Sequence, residues 1–188
     1  MIKLSHSELL DALAHVFDVP DSKEESLVAR LRHFRNIGLL AARPGKGQRI
    51  AYGFRDVARL ALALDLTSLG HWPQDVLDML TGNDRDIAKL FGMCLEGIDS
   101  GNRTLVITRT GGPFDDRKPR IELTAITRPK PDVEVHVDPS TRFSVFDFGE
   151  RVRRLVIWMH GHGERSDESF SSFVKQLLRD VTEAKVAR

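Results

Sequence analysis

The residues with the clearest chemistry form a basic block between positions 27 and 59. The block holds eight arginines and lysines and a single acid, Asp56, so it carries a formal charge of +7 in a chain whose total is +1. Basic side chains with few acids to pair with are typical of surfaces that bind a polyanion. A solvated surface is the alternative, and the scarcity of acids weakens it. The basic residues are Arg30, Arg32, Arg35, Arg43, Lys46, Arg49, Arg55 and Arg59.

A second group, His160-Gly161-His162, has the ligand type of a metal site. Neutral imidazole is a common zinc ligand, and His136 would be a third ligand if the fold brought it close. Nothing in the sequence does so, and histidines flanked by glycine are equally at home in a loop that joins two helices. We therefore expect no metal and no cofactor. A metal-binding enzyme that uses His160 and His162 stays the alternative.

No other residues form a recognisable catalytic motif. The sequence lacks the glycine-rich phosphate loop, the G-x-S-x-G turn and a cysteine–histidine pair in a known setting, so we expect no enzymatic activity. Cys94 is the single cysteine. A thiol metal sensor needs several soft ligands, so we interpret Cys94 as a small buried hydrophobe.

The composition is typical of a globular chain in a reducing compartment. Of 188 residues, 41% are hydrophobic and 29% are charged, which excludes collagen-like, disulfide-scaffold and largely disordered proteins. One cysteine cannot form an internal disulfide. The longest apolar runs, 60–64 and 155–159, are far shorter than the roughly 20 residues that span a bilayer. With no export signal recognised near the start, we expect a cytoplasmic protein without a membrane partner.

Helix-capping signals and apolar spacing predict five helices in the first hundred residues. Ser5 with Glu8 and Ser22 with Glu25 form S-x-x-E capping boxes ahead of apolar residues at helical spacing. We expect Trp72, which precedes the fourth helix, to pack in the core with its polar tip exposed. The predicted helices are 5–17, 22–37, 56–68, 73–80 and 85–98, with a hairpin of strands 40–43 and 49–52 around the glycine turn 44–47.

Beyond position 101 the pattern changes to β-branched residues followed by two helices. The sequence therefore predicts an α+β fold, in which an N-terminal winged helix-turn-helix is followed by a small α+β domain with an antiparallel sheet and two helices. The predicted strands are 104–108, 121–127, 133–137 and 142–145, and the helices are 148–159 and 168–183. The predicted domains are 1–82 for DNA binding, 83–101 as a connecting helix, and 102–188 for dimerisation or for an effector or partner.

The order of helix, glycine, hairpin and helix describes a winged helix-turn-helix, and its residues carry a specific likeness. Residues 31–40, LRHFRNIGLL, are similar to a recognition-helix motif that reads L-R-[YF]-[YW]-E-x-x-G-L-[IL]. Tyr52, Asp56 and Leu60 follow in the register Y-x3-D-x3-L. These patterns belong to the MerR family of bacterial transcription regulators, which the chain resembles over about residues 31–80. His33 and Arg35 depart from the motif, because they replace an aromatic residue and an acid.

The resemblance implies transcriptional control by a homodimer on a pseudo-palindromic DNA site. The helix around Arg32 would enter the major groove, and the wing around Lys46 would grip the phosphate backbone. Tyr52 either packs in the wing core or hydrogen-bonds a phosphate. RNA polymerase or another protein is a further candidate partner, through the C-terminal domain. The residues expected to contact double-stranded DNA are Arg30, Arg32, His33, Arg35, Arg43, Lys46, Arg49 and Tyr52.

A different class of DNA-binding protein stays open. The same domain occurs in architectural proteins, including phage excision, packaging and nucleoid-type factors, which assemble DNA without a transcriptional role. A defined binding site would favour regulation, and cooperative binding with loose sequence preference would favour architecture.

Overall fold

The computed structural model describes residues 3–40, 50–110, 122–128, 142–162 and 168–183. Within these ranges the chain is mostly helical, with one three-stranded antiparallel sheet, so it belongs to the α+β class. The helices are α1 (His6–Val16), α2 (Glu24–Asn36), α3 (Phe54–Ser68), α4 (Pro73–Gly82), α5 (Asp84–Ser100), α6 (Phe148–His162) and α7 (Phe170–Glu183). The strands are β1 (Arg103–Thr110), β2 (Glu122–Arg128) and β3 (Arg142–Asp147).

Of the two predicted capping boxes, the first forms and the second does not. At the start of α1, Ser5 Oγ accepts from the Glu8 N–H at 3.3 Å, and Glu8 Oε2 accepts from the Ser5 N–H at 2.7 Å, as predicted. The box at Ser22 and Glu25 does not form. Ser22 lies inside a short 3₁₀ turn, Asp21–Lys23, and α2 begins directly behind that turn without a side-chain cap. The capping signal therefore placed the start of α2 two residues too early.

A glycine and a backbone bridge fix the ends of the segment between α2 and α3. Gly38 follows α2 with φ at +91°, a conformation that glycine adopts without strain and that ends the helix. Leu4 and Tyr52 form an antiparallel bridge, with N–H to O distances of 2.8 and 2.9 Å. The N-terminal segment is thus tied to the residues that lead into α3. The predicted hairpin, with most of its residues in 41–49, lies outside the described residues.

The sheet is built around β1, which pairs with β2 on one side and β3 on the other. Thr104, Val106 and Thr108 are buried and alternate along the strand, Ile107 on the other face is buried as well, and α5 and α6 pack against β1. All three strands overlap predicted ones. The fourth predicted strand, 133–137, lies outside the described residues.

One buried apolar cluster runs through both halves of the described chain, from Leu4 to Val181. Helix α5 is central to it, because its buried side chains face α3, α6, α7 and the sheet. Helix α6 packs along α1, so the N-terminal helices share a core with the helices near the C-terminus. None of the described helices is long and apolar enough to cross a bilayer.

One predicted core residue lies at the surface. The side chain of Trp72 is 76% exposed, so the expectation that it packs in the core was wrong. Trp72 is the N-cap of α4, directly ahead of Pro73, and the turn directs it away from the buried faces of α3 and α4. A residue in a turn has no periodic pattern from which its orientation could be read.

Candidate nucleic-acid interface

Helix α2 carries the basic residues of the candidate interface, and its apolar face determines where they point. Leu27, Leu31 and Phe34 are buried at a spacing of four and three residues, which orients one side of the helix toward the core. Its acids, Glu24 and Glu25, are confined to the first turn. The last two turns therefore present Arg30, Arg32, His33 and Arg35 without an acid between them.

Arg32 and His33 lie on the side of α2 that faces away from the core. Both side chains are exposed. Among the described residues Arg32 has no hydrogen-bond or ion-pair partner. A docked duplex could therefore meet the Arg32 guanidinium without first breaking an ion pair.

Arg30 and Arg35 occupy the two flanks of α2. The two residues are five positions apart, and each position turns the helix by about 100°. Their side chains therefore leave the helix roughly 140° apart around its axis. Arg30 Nη1 donates to Ser68 Oγ in α3 at 3.3 Å, whereas Arg35 Nη2 lies 3.5 Å from His6 Nδ1 at the start of α1. The four basic positions of α2 therefore face three directions, and Arg32 and Arg35 meet different surroundings.

Tyr52 lies inside the molecule. Its side chain is 2% exposed, and its hydroxyl is buried without a hydrogen-bond partner. Its ring centroid lies 6.4 Å from that of His6. Of the two alternatives for Tyr52, packing in the core is the one that this geometry favours, because a buried hydroxyl is not presented to a phosphate.

The two arginines of α3 are less available than those of α2. Arg59 forms an ion pair with Asp84 at the start of α5, which ties the two helices together. Arg55 is half-buried. The wing residues expected to contact DNA, Arg43, Lys46 and Arg49, lie outside the described residues.

The histidines near the end of α6 both make contacts within the chain, although His162 is exposed. His160 Nε2 lies 2.8 Å from the Glu168 carbonyl, and His162 stacks on Trp158 with ring centroids 4.2 Å apart. The structure places both residues at the helix end, where the sequence suggested a loop. His136 lies outside the described residues, and within the described ranges no three metal-ligating side chains converge.

Cys94 is buried in α5, and we expect its thiol to be unreactive in the folded protein. The side chain is 1% exposed, and burial raises the pKa of the thiol to about 12. Since the thiolate is the reactive form, an alkylating reagent at about pH 8 should label the native protein very slowly. Mass spectrometry should show rapid labelling only after denaturation. Fast labelling of the native protein would contradict this placement.

No sequence pattern indicated that His6 belongs to the candidate interface. It lies 29 positions before Arg35, and only the packing of α1 beside α2 brings the two side chains together. A histidine in the first turn of a helix has no spacing signal that links it to a distant arginine.

Arg151 and Arg154 of α6 hold the two halves of the chain together. Arg151 Nη1 donates to the Val16 carbonyl at 3.0 Å, at the end of α1, and Arg154 pairs with Asp18. These arginines are committed to intramolecular contacts, unlike Arg32 of α2, which has no ion pair within the described ranges.

Comparisons with known proteins identify no relative of this chain. No protein-family model, curated protein or solved structure matches the chain.

Proposed function

We propose that the protein is a sequence-specific DNA-binding transcriptional regulator of the MerR-like winged helix-turn-helix type. In this proposal α2 enters the major groove, α1 supports it, and the wing predicted around Lys46 grips the backbone. Two copies bind a pseudo-palindromic site, and the C-terminal part of the chain serves dimerisation or contact with a partner such as RNA polymerase.

The observation that carries the proposal is Arg32 on the outer face of a well-packed helix, exposed and without an ion pair among the described residues. The buried face of α2 fixes the orientation of the helix, so Arg32 and His33 are presented on a rigid support. Rigid presentation matters because base recognition requires a guanidinium to meet two acceptors on a base edge at once. The basic block and the likeness of residues 31–40 to a recognition helix support the same role.

Replacing Arg32 with alanine should weaken specific DNA binding by about 1–3 kcal/mol and relax the preference at one base position, as expected for loss of a bidentate base contact. The measurement is a binding titration of the selected site and of its single-base variants. Because Arg32 is exposed and forms no hydrogen bond or ion pair with the described residues, the variant should unfold at the temperature of the wild type.

Arg179→Ala is the matched control. Arg179 is an exposed arginine on α7, a helix that packs against α5 and α6, away from α2. Its loss should leave both affinity and base preference close to those of the wild type. Equal DNA affinity and base preference of the Arg32 and Arg179 variants would contradict the placement of α2 in the major groove.

The decisive experiment is selection from a random-sequence duplex pool at two salt concentrations, followed by sequencing of the bound DNA. A two-fold-symmetric motif supports a dimeric regulator. Salt-sensitive binding without a motif would support the architectural class instead, since nonspecific affinity comes from phosphate contacts. No binding at low salt would reject the proposal.

A further inference from the structure

Two nitrogen-bearing side chains meet on the flank of α2, beside the start of α1. Arg35 Nη2 lies 3.5 Å from His6 Nδ1, and the ring of Tyr52 lies near the imidazole. Arg35 is half-buried, and its Nε is buried without a hydrogen-bond partner. No carboxylate within the described ranges forms an ion pair with Arg35. Glu8, the acid of the first turn of α1, is engaged with the Ser5 backbone N–H.

Among the half-buried arginines of the described ranges, three have a carboxylate partner, whereas Arg35 and Arg55 have none. Arg59 pairs with Asp84, Arg151 with Asp65, and Arg154 with Asp18. Partial removal of a guanidinium from water is unfavourable unless an opposite charge compensates for it. An anion brought to Arg35 from outside would supply the charge that carboxylates supply at the other three positions.

The anion that best fits this position is a phosphate group. A guanidinium offers planar, paired donors that match phosphate oxygens, and an imidazole N–H adds another donor. His6 is exposed, so this edge of the molecule is accessible from solvent.

We infer that His6 and Arg35 together bind one backbone phosphate of the DNA duplex, an inference that rests on the proposed function. Arg32 on the outer face of α2 contacts base edges, and Arg35 on the flank contacts the strand that borders the groove. The two arginines therefore have separate roles, one in specificity and one in anchoring, although they are only three residues apart.

The test compares Arg35→Gln, Arg35→Lys and His6→Gln with the wild type in DNA binding at several salt concentrations. Loss of one phosphate contact should reduce the slope of log affinity against log salt by about 0.9 and leave the selected motif unchanged. Arg35→Lys keeps the charge and should keep most of the slope. Arg179→Gln, on the exposed surface of α7, is the control and should keep all of it. Thermal unfolding of each variant verifies the fold, and His6→Gln, at an exposed position, tests the pair without altering a half-buried residue.

A second measurement separates this inference from the proposed function. Inorganic phosphate is titrated into the protein without DNA, and the NMR signals of the His6 ring and the Arg35 side chain are followed. If the wild type binds DNA, an unchanged salt slope in Arg35→Gln or an unchanged affinity in His6→Gln overturns the inference. If it binds no DNA, the proposed function fails. Phosphate-dependent shifts that Arg35→Gln abolishes would then support an anion site for free phosphate, and absence of shifts would overturn the site as well.

Discussion

Replacing Asp65 with asparagine is expected to remove a large dependence of stability on pH between pH 3.5 and pH 7. Burial raises the pKa of the Asp65 carboxyl from 3.8 to about 6, although Arg151 lies 3.5 Å away and opposes this effect. One carboxyl oxygen, Oδ2, is buried without a hydrogen-bond partner, which is consistent with an unfavourable site for the charge.

The sign of the effect follows from proton binding. Between about pH 4 and pH 6 the folded protein holds a proton on Asp65 that the unfolded chain has released, so stability falls as the pH rises through this interval. At about 1.4 kcal/mol per pKa unit, the full loss is about 3 kcal/mol. Asparagine does not titrate, so the variant should gain about 3 kcal/mol relative to the wild type between pH 3.5 and pH 7.

Urea unfolding at a series of pH values measures this difference. The buried amide of the variant changes the free energy of unfolding by an amount that does not depend on pH. This amount cancels, because only the change of the free energy of unfolding with pH is compared. Glu8→Gln is the control of opposite sign. Hydrogen bonds from Ser5 lower the pKa of Glu8, so the glutamine variant should lose stability relative to the wild type as the pH rises. A pH-independent difference between Asp65→Asn and the wild type would contradict the raised pKa.

The sequence predicted the elements well where a local pattern determines them. Helix α1 was located by the Ser5–Glu8 box, and α6 and α7 by apolar residues at helical spacing. The predicted helix boundaries were wrong where a polar side chain, which is not part of the apolar pattern, caps the helix. Helix α3 begins at Phe54 rather than Asp56, because Asp56 Oδ2 accepts from the Gly53 N–H at 2.9 Å and so caps the helix from within its first turn.

Long-range contacts could not be predicted in this way. Nothing local indicates the strand order β2–β1–β3, or that α6 packs along α1 and holds its last carbonyl through Arg151. The candidate interface likewise has one part that the sequence predicts and one part that depends on long-range contacts. The basic face of α2 is visible in the sequence, whereas the meeting of Arg35 with His6 depends on tertiary packing. The burial of Tyr52 has the same cause, since its bridge to Leu4 spans 48 positions.

Gly149 shows most clearly how tertiary packing constrains a residue that the sequence leaves unremarkable. It lies in the first turn of α6, where the helix crosses β1. A Cβ at this position would lie 2.7 Å from the Thr104 backbone nitrogen and 3.2 Å from its carbonyl oxygen. These atoms belong to the central strand, which neighbours hold on both sides, so the strand cannot easily move away.

Gly149→Ala is therefore expected to destabilise the protein by about 1–3 kcal/mol, the usual range for overpacking a core, despite the higher helix propensity of alanine. Gly92→Ala is the matched control within α5. There the new Cβ would lie 3.8 Å from Leu178 Cδ1, an ordinary contact, so the gain in helix propensity should raise stability by up to about 1 kcal/mol. Urea midpoints that move in opposite directions for the two substitutions would show that the approach of α6 to β1 requires glycine. A Gly149 variant as stable as the Gly92 variant would mean that α6 can move away from the sheet at little cost.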